Sequence, residues 1–163
     1  MTLANLVNDR TAVVAIKDIL QANLLDPRAQ YTSDNRNWIH TDEPLNSATY
    51  PRIQIRKRGP SNVGISSIGR EFIEQRELIL DIQMWLKAPF KWQVSGDTYL
   101  QNEELIKEWQ DKIWNTLKDE QLDMHNTYGI TGLKNLGERD PYLEPDSQLY
   151  TGVISVRIWY FRT

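Results

Sequence analysis

"ELILDIQMWLKAP", residues 77–89, decides the fold. Leu78, Leu80, Ile82, Met84 and Leu86 alternate with Ile79, Asp81, Gln83 and Trp85, the period of two that a strand imposes on its side chains. The first set reads as a core face, the second as a face only partly wet, and Lys87-Ala88-Pro89 ends the run. Upstream, "YPRIQIRKRG" at 50–59 points Ile53 and Ile55 one way and Arg52, Gln54, Arg56 and Arg58 the other. It lies antiparallel to the first strand if the glycine- and serine-bearing segment at about 59–70 is a long flexible hairpin arm, as Gly59-Pro60, Gly64 and Gly69 suggest. At the far end, "LYTGVISVRIWYFRT" sets Gly152, Ile154, Val156, Ile158 and Tyr160 against Val153, Ser155, Arg157, Trp159 and Phe161. Both of its faces are apolar, so this strand should be central or covered.

Two helical patterns accompany the strands. Over residues 3–25, Leu6, Val13, Ile16, Leu20 and Leu24 recur near helical spacing until Asp26-Pro27 stops the run. Over about 97–120, Leu105 or Ile106, Trp109, Ile113 and Leu117 form the stripe, with Glu103, Glu104, Glu108, Lys112 and Lys118 outside it. Residues 28–51 read as a long polar loop, of the kind that often contacts something. Residues 126–150 read as a loop holding one short strand at 130–136. The expectation is an α+β fold: an antiparallel sheet of three or four strands with two helices packed on one face, in the order α-β-β-α-β-β. One domain should span residues 1–163.

The net charge of −3 hides an asymmetry. Residues 52–91 carry eight Lys/Arg against four acids, a net of +4, whereas residues 97–146 carry twelve acids against five bases, a net of −7. Such segments either solvate two exposed faces or meet on neighbouring copies, since complementary potentials steer association.

Several chemistries are excluded or disfavoured. Cysteine is absent, which rules out disulfides, thiolate catalysis and cysteine-ligated zinc. No run of about 18 apolar residues indicates a membrane span, so a soluble cytosolic or particle-associated protein is expected. His40 and His125 stand in polar contexts without partners at ligand spacing, and no phosphate loop, hydrolase elbow or common metal motif occurs. Glu71, Glu77, Asp81 and Lys87 could be weighed as a magnesium nuclease site, and 81 and 87 do share a face. Their span of about 20 Å is too long for one metal. "DPYLEPD" at 140–146 fits a rigid connection better than a calcium cage. We therefore expect no catalysis, no cofactor and no metal. Trp38 and Trp92 fall in predicted loops, where large aromatics anchor contacts. Phosphate binding by Arg52, Arg56, Lys57 and Arg58 would be local and salt-sensitive in a chain of pI about 5.4.

An N-terminal amphipathic helix, the "YPRIQIRKRG" strand, a glycine/serine arm, "ELILDIQMWLKAP", the helix "NEELIKEWQDKIWNTL" and the terminal "GVISVRIWYFR" together resemble the tail-terminator and related head-tail completion proteins of tailed viruses of bacteria and archaea. The resemblance implies a non-enzymatic virion subunit forming a homo-oligomeric ring. That ring would sit at the head-proximal end of the tail tube, with tube and neck or connector proteins as partners and a lumen through which DNA would pass. The chain would reside in the virion tail or neck, and in the host cytoplasm during assembly. Another neck component, a nucleic-acid-binding module and a metal-dependent nuclease are the competing readings. A ring needs unlike patches. The candidates are Arg52, Arg56, Lys57, Arg58 and Arg70 on one surface and Glu103, Glu104 and Glu108 on the other, with Trp38 and Trp92 supplying apolar contact.

Overall fold

A capping box opens the first helix. The Asn8 side chain accepts from the Thr11 N–H at 2.9 Å, and the Thr11 hydroxyl accepts from the Asn8 N–H at 2.8 Å, satisfying two of the donors a helix start leaves over. The chain, seen in a computed structural model that describes residues 8–30, 36–41, 49–68 and 71–162, runs from there as α1 (Asp9–Asn23), β1 (Ile39–His40), β2 (Arg52–Lys57), β3 (Asn62–Ile68), β4 (Glu71–Lys87), β5 (Lys91–Ser95), β6 (Thr98–Gln101), α2 (Asn102–Asp119), α3 (Gln121–Tyr128), β7 (Ile130–Glu144) and β8 (Leu149–Arg162). A short 3-10 turn, Pro27–Gln30, follows the Asp26-Pro27 stop.

β4 organises the molecule. One of its edges pairs with β2 near its C-terminal end and with β3 near its N-terminal end; the other edge pairs with β8 from Glu74↔Arg162 to Lys87↔Leu149. The six-stranded sheet has the order β1-β2-β4-β8-β7, with β3 beside β4, and β5 and β6 form a separate hairpin. β8 is thus interior, as its two apolar faces demand. Leu78, Leu80, Ile82, Met84 and Leu86 of β4 are fully buried, together with Ile53 and Ile55 of β2 and Ile154, Val156, Ile158 and Tyr160 of β8. Onto that face pack Ile16 and Leu20 of α1 and Leu105, Ile106, Trp109, Ile113 and Leu117 of α2. Each aliphatic side chain so buried contributes about 1.5–3 kcal/mol of transfer free energy.

Mixed α+β architecture is what the sequence led us to expect, but the element count is larger and several boundaries move. The segment anticipated as an unpaired arm at about 59–70 is largely strand, because Asn62–Ile68 finds a ready-made ladder in the N-terminal half of β4; residues 69 and 70 lie outside the described residues. Residues 126–150 do not form a loop with one short strand. β7 spans fifteen residues, and three register shifts against β8, at 130/132, 135/137 and 139/142, repeatedly reset the phase of its alternation. The second helix begins at Asn102, not near 97, since residues 91–101 fold back as the β5–β6 hairpin around Gly96-Asp97. A third helix, α3, was not anticipated: it has eight residues and little amphipathic contrast, and Gly129 closes it in the left-handed region at φ 70° with its N–H on the His125 carbonyl. The first five residues of the helix expected at 3–25 lie outside the described residues.

Candidate functional site

The basic ladder lies on the face of the sheet turned away from the helices. Arg52, Gln54 and Arg56 stand opposite Trp85, Gln83 and Asp81 of β4, the parity that alternates with the buried leucines. Much of this ladder is used inside the subunit. The Arg52 guanidinium stacks 4.5 Å from the Tyr50 ring centre and 5.2 Å from that of Trp85, occupying ring faces on which a nucleobase would have to stack. Arg58 donates from Nε to Asp81 Oδ2 at 2.9 Å and from Nη2 to Ser155 Oγ at 2.7 Å, while Ser155 Oγ donates to Asp81 Oδ1 at 2.7 Å. This ties β2 to β4 and β8. Lys57 points to the opposite, helix-bearing face and donates to Asp9 in the first turn of α1. The Tyr160 hydroxyl also donates to Asp9, and Arg76 Nη1 lies 3.7 Å away. Burial raises the Asp9 carboxyl, but the bonds from Lys57 and Tyr160 outweigh it and hold the group below its ordinary value. Arg56 is exposed on β2; Arg70 lies outside the described residues.

Other acids on the same face are equally engaged. Glu77 accepts from the Trp159 indole at 3.1 Å and lies 3.3 Å from Arg157 Nε. Asp81 and Lys87 do share the face that counting along the strand assigned them, but the Asp81 oxygens are held by Arg58 and Ser155. Among the described residues, no group of three or more His, Asp or Glu side chains is placed to hold a metal ion.

The acidic surface lies on the other side. α2 presses its apolar stripe onto the sheet and turns Glu103, Glu104 and Asp111 to solvent. Glu108 sits 3.5 Å from Lys112, whose ammonium lies 3.9 Å from the Trp92 ring centre. Glu138 of β7 is pushed up first by burial and then by the like charges of Asp111 and Asp140, so negative charge crowds where α2 meets β7. Lys134, which sequence position grouped with the acids, stands opposite Arg157 and therefore belongs to the basic face. The charge division seen along the chain does not map cleanly onto the two sides of the sheet: Lys57 lies on the helix-bearing side and Lys107 and Lys118 are exposed on α2, while Glu77 and Asp81 lie among the arginines.

Trp38 and Trp92 are corrected outright as exposed anchors, being 1% and 8% exposed. Trp38 leads into β1, whose parallel pairing with β2 carries it over the core edge against Trp109, centroids 6.0 Å apart. Trp92 sits on β5, against α2. A clamp that composition did not reveal is Arg36, which grips Asp26 with two donors at 2.7 and 2.9 Å and the Pro51 carbonyl at 2.5 Å, fastening the polar loop to the start of β2. Its partners are 10 and 15 residues away, a separation at which no local pattern signals pairing.

His40 yields a pH test. Partial burial lowers its pKa from 6.5, and the positive charges of Arg52, Lys17 and Arg36 lower it further. The unfolded chain therefore binds this proton more readily than the folded one, so stability falls as pH drops from 6.5 toward the folded value. Thermal melts at pH 7.5 and 5.5 should show a smaller acid-induced drop in His40→Gln than in the wild type; identical drops would exclude this residue as a source.

No protein-family model matches this chain, and no curated protein matches it. Among solved structures it is similar to a chain of the virion of the native gene transfer agent particle. The two are 12% identical over 90% of this chain and 98% of that one, with a TM-score of 0.37. At that distance the likeness carries no argument about fold or role. No helix among the described residues is long and apolar enough to cross a membrane.

Proposed function

We propose that this chain is a structural subunit of a tailed-virus particle, a tail terminator that assembles into a ring, caps the tail tube and joins it to the head. The observation that carries the reading is the one-sidedness of the sheet. The described helices gather on the face of Leu78–Leu86, while the other face, from Arg52 to Trp159, is built of half-buried aromatic, arginine and carboxylate side chains bonded to one another. An ordered, cross-linked face that none of the described helices covers suits a subunit whose neighbours complete its burial. The β3–β4 hairpin adds reach: residues 71–73 of β4 run beyond the last β8 pair at Glu74↔Arg162. In this reading the chain is not a catalyst, and its partners are copies of itself, the tube protein and the neck proteins. Electron microscopy of the purified protein, alone and mixed with tail tubes, should show discs with a central hole and tubes closed by one such disc. Discs that bind the head portal but leave tubes uncapped would favour a connector or stopper, and particles without a ring would defeat the proposal.

A further inference from the structure

From the edges of the sheet we infer a contact between copies of this chain: the outer edge of β3 pairs antiparallel with the β3 edge of a second copy about a two-fold axis. This contact is separate from the ring proposed above, which needs unlike patches, and it does not rest on that reading.

A strand edge carries a row of backbone N–H and C=O groups that pair with another chain unless something prevents it. This sheet treats its edges unequally. β7, at one end of the strand order, is blunted by three register shifts against β8, by Pro141 and by Lys134, Glu138, Arg139 and Asp140. β1, at the other end, is two residues long. β3 has none of these devices. It pairs with β4 through seven consecutive residues, from Asn62↔Glu77 to Ile68↔Glu71, without a register shift. Among the described residues no strand lies on its outer side. Its sequence, "NVGISSI", holds no charge and no proline. Asn62, Val63 and Gly64 are exposed, Val63 to 48% although it is apolar. The same features select the occupant. An edge bearing a lysine or a glutamate would bring like charges together across a two-fold axis, whereas an uncharged edge meets its own copy without that cost. The bulged β7 and the short β1 offer a poor ladder, so of the edges of this sheet it is a second β3 that fits the first. Centred on Ile65, the pairing sets Asn62 opposite Ile68 of the partner subunit and joins two sheets in the order β8-β4-β3-β3-β4-β8.

The chain has no cysteine, so a single introduced thiol can bridge only to its own counterpart in a second copy. Full-length Asn62→Cys, Val63→Cys, Gly64→Cys, Ile65→Cys and Ser66→Cys, oxidised mildly at one concentration, should each be scored for covalent dimer. Facing residues of antiparallel strands lie about 4.5–5.5 Å apart between Cα atoms, within the span of about 4.4–6.8 Å that a disulfide accepts. The yield should therefore peak sharply at or beside Ile65, where the strand meets itself. A second variant, Val63→Lys with Gly64→Lys, installs the charge that β3 lacks. A Cβ at Gly64 meets the Gln75 carbonyl at 3.7 Å, an ordinary contact, and circular dichroism melts check that the variant folds. In the cross-linking background it should lower the dimer yield about tenfold or more at low salt, and added salt should restore part of it. A flat yield across the five thiol positions, or a lysine variant that cross-links as well as its parent, would overturn the pairing.

Discussion

Trp38→Ala is expected to cost about 3–5 kcal/mol of folding stability, the range for deleting a buried aromatic from a packed core. The side chain is 1% exposed and tilted at 54° against Trp109, and it caps the end of the sheet where β1 joins β2. A domain of this size has about 5–15 kcal/mol in all, and each kcal/mol moves its melting point by about 2–4 °C. The variant should therefore melt at least about 6 °C lower. Trp38→Phe, which keeps most of the ring, should recover much of the loss. The opposite result, an unchanged denaturation midpoint with weakened association, would return Trp38 to the surface role its sequence position suggested.

That residue shows where sequence reading succeeds and where it stops. Strands buried on one side announce themselves: the run from Leu78 to Leu86 and the isoleucines of β2 and β8 carry an uninterrupted period of two, so the axis of the sheet and its core face were legible. Trp38 was not, because what buries it is a two-residue parallel bridge, Ile39↔Ile53 and His40↔Gln54, too short to leave a period. β7 was obscured by its own bulges. The β5–β6 hairpin could have been found from the Gly96-Asp97 turn between "KWQV" and "TYLQ", and the helical reading that began at 97 overran it. For the candidate surfaces, counting charges along the chain assigned them to segments. The side of the sheet is set by parity and register, so Lys57 turned inward to Asp9 and Lys134 crossed to the basic face. Which arginines are already occupied depends on partners such as Asp81 and Ser155, 23 and 97 residues from Arg58, and no local pattern encodes that.

Gly152→Ala tests how closely α2 must approach the sheet. Gly152 lies within β8 opposite Met84, in ordinary extended pairing and not in a turn. Two effects oppose each other. Replacing a strand glycine by alanine reduces the entropy of the unfolded chain and by itself stabilises by about 0.4–1 kcal/mol. A Cβ at this position, however, would stand 2.3 Å from Ile106 Cγ2 and 3.3 Å from Gln110 Nε2. Ile106 is fully buried, and its β-branched side chain is stiff at χ1. α2 must therefore lift, at a cost of about 1–3 kcal/mol for overpacking. Lifting also stretches the bonds from Gln110 Nε2 to the Arg139 carbonyl at 2.9 Å and the Val153 carbonyl at 3.1 Å, adding about 1–3 kcal/mol for buried groups left unmade. Steric and polar losses exceed the entropic gain, so the net effect should be a destabilisation of about 1–5.6 kcal/mol, read from denaturant midpoints at constant m-value. Ile106→Ala alone should cost about 2–5 kcal/mol by leaving a cavity. In that background the added methyl has room, so the double variant should be distinctly more stable than the sum of the two losses predicts. Additive losses, or a Gly152→Ala protein as stable as the wild type, would show that α2 does not sit as close to β8 as these distances require.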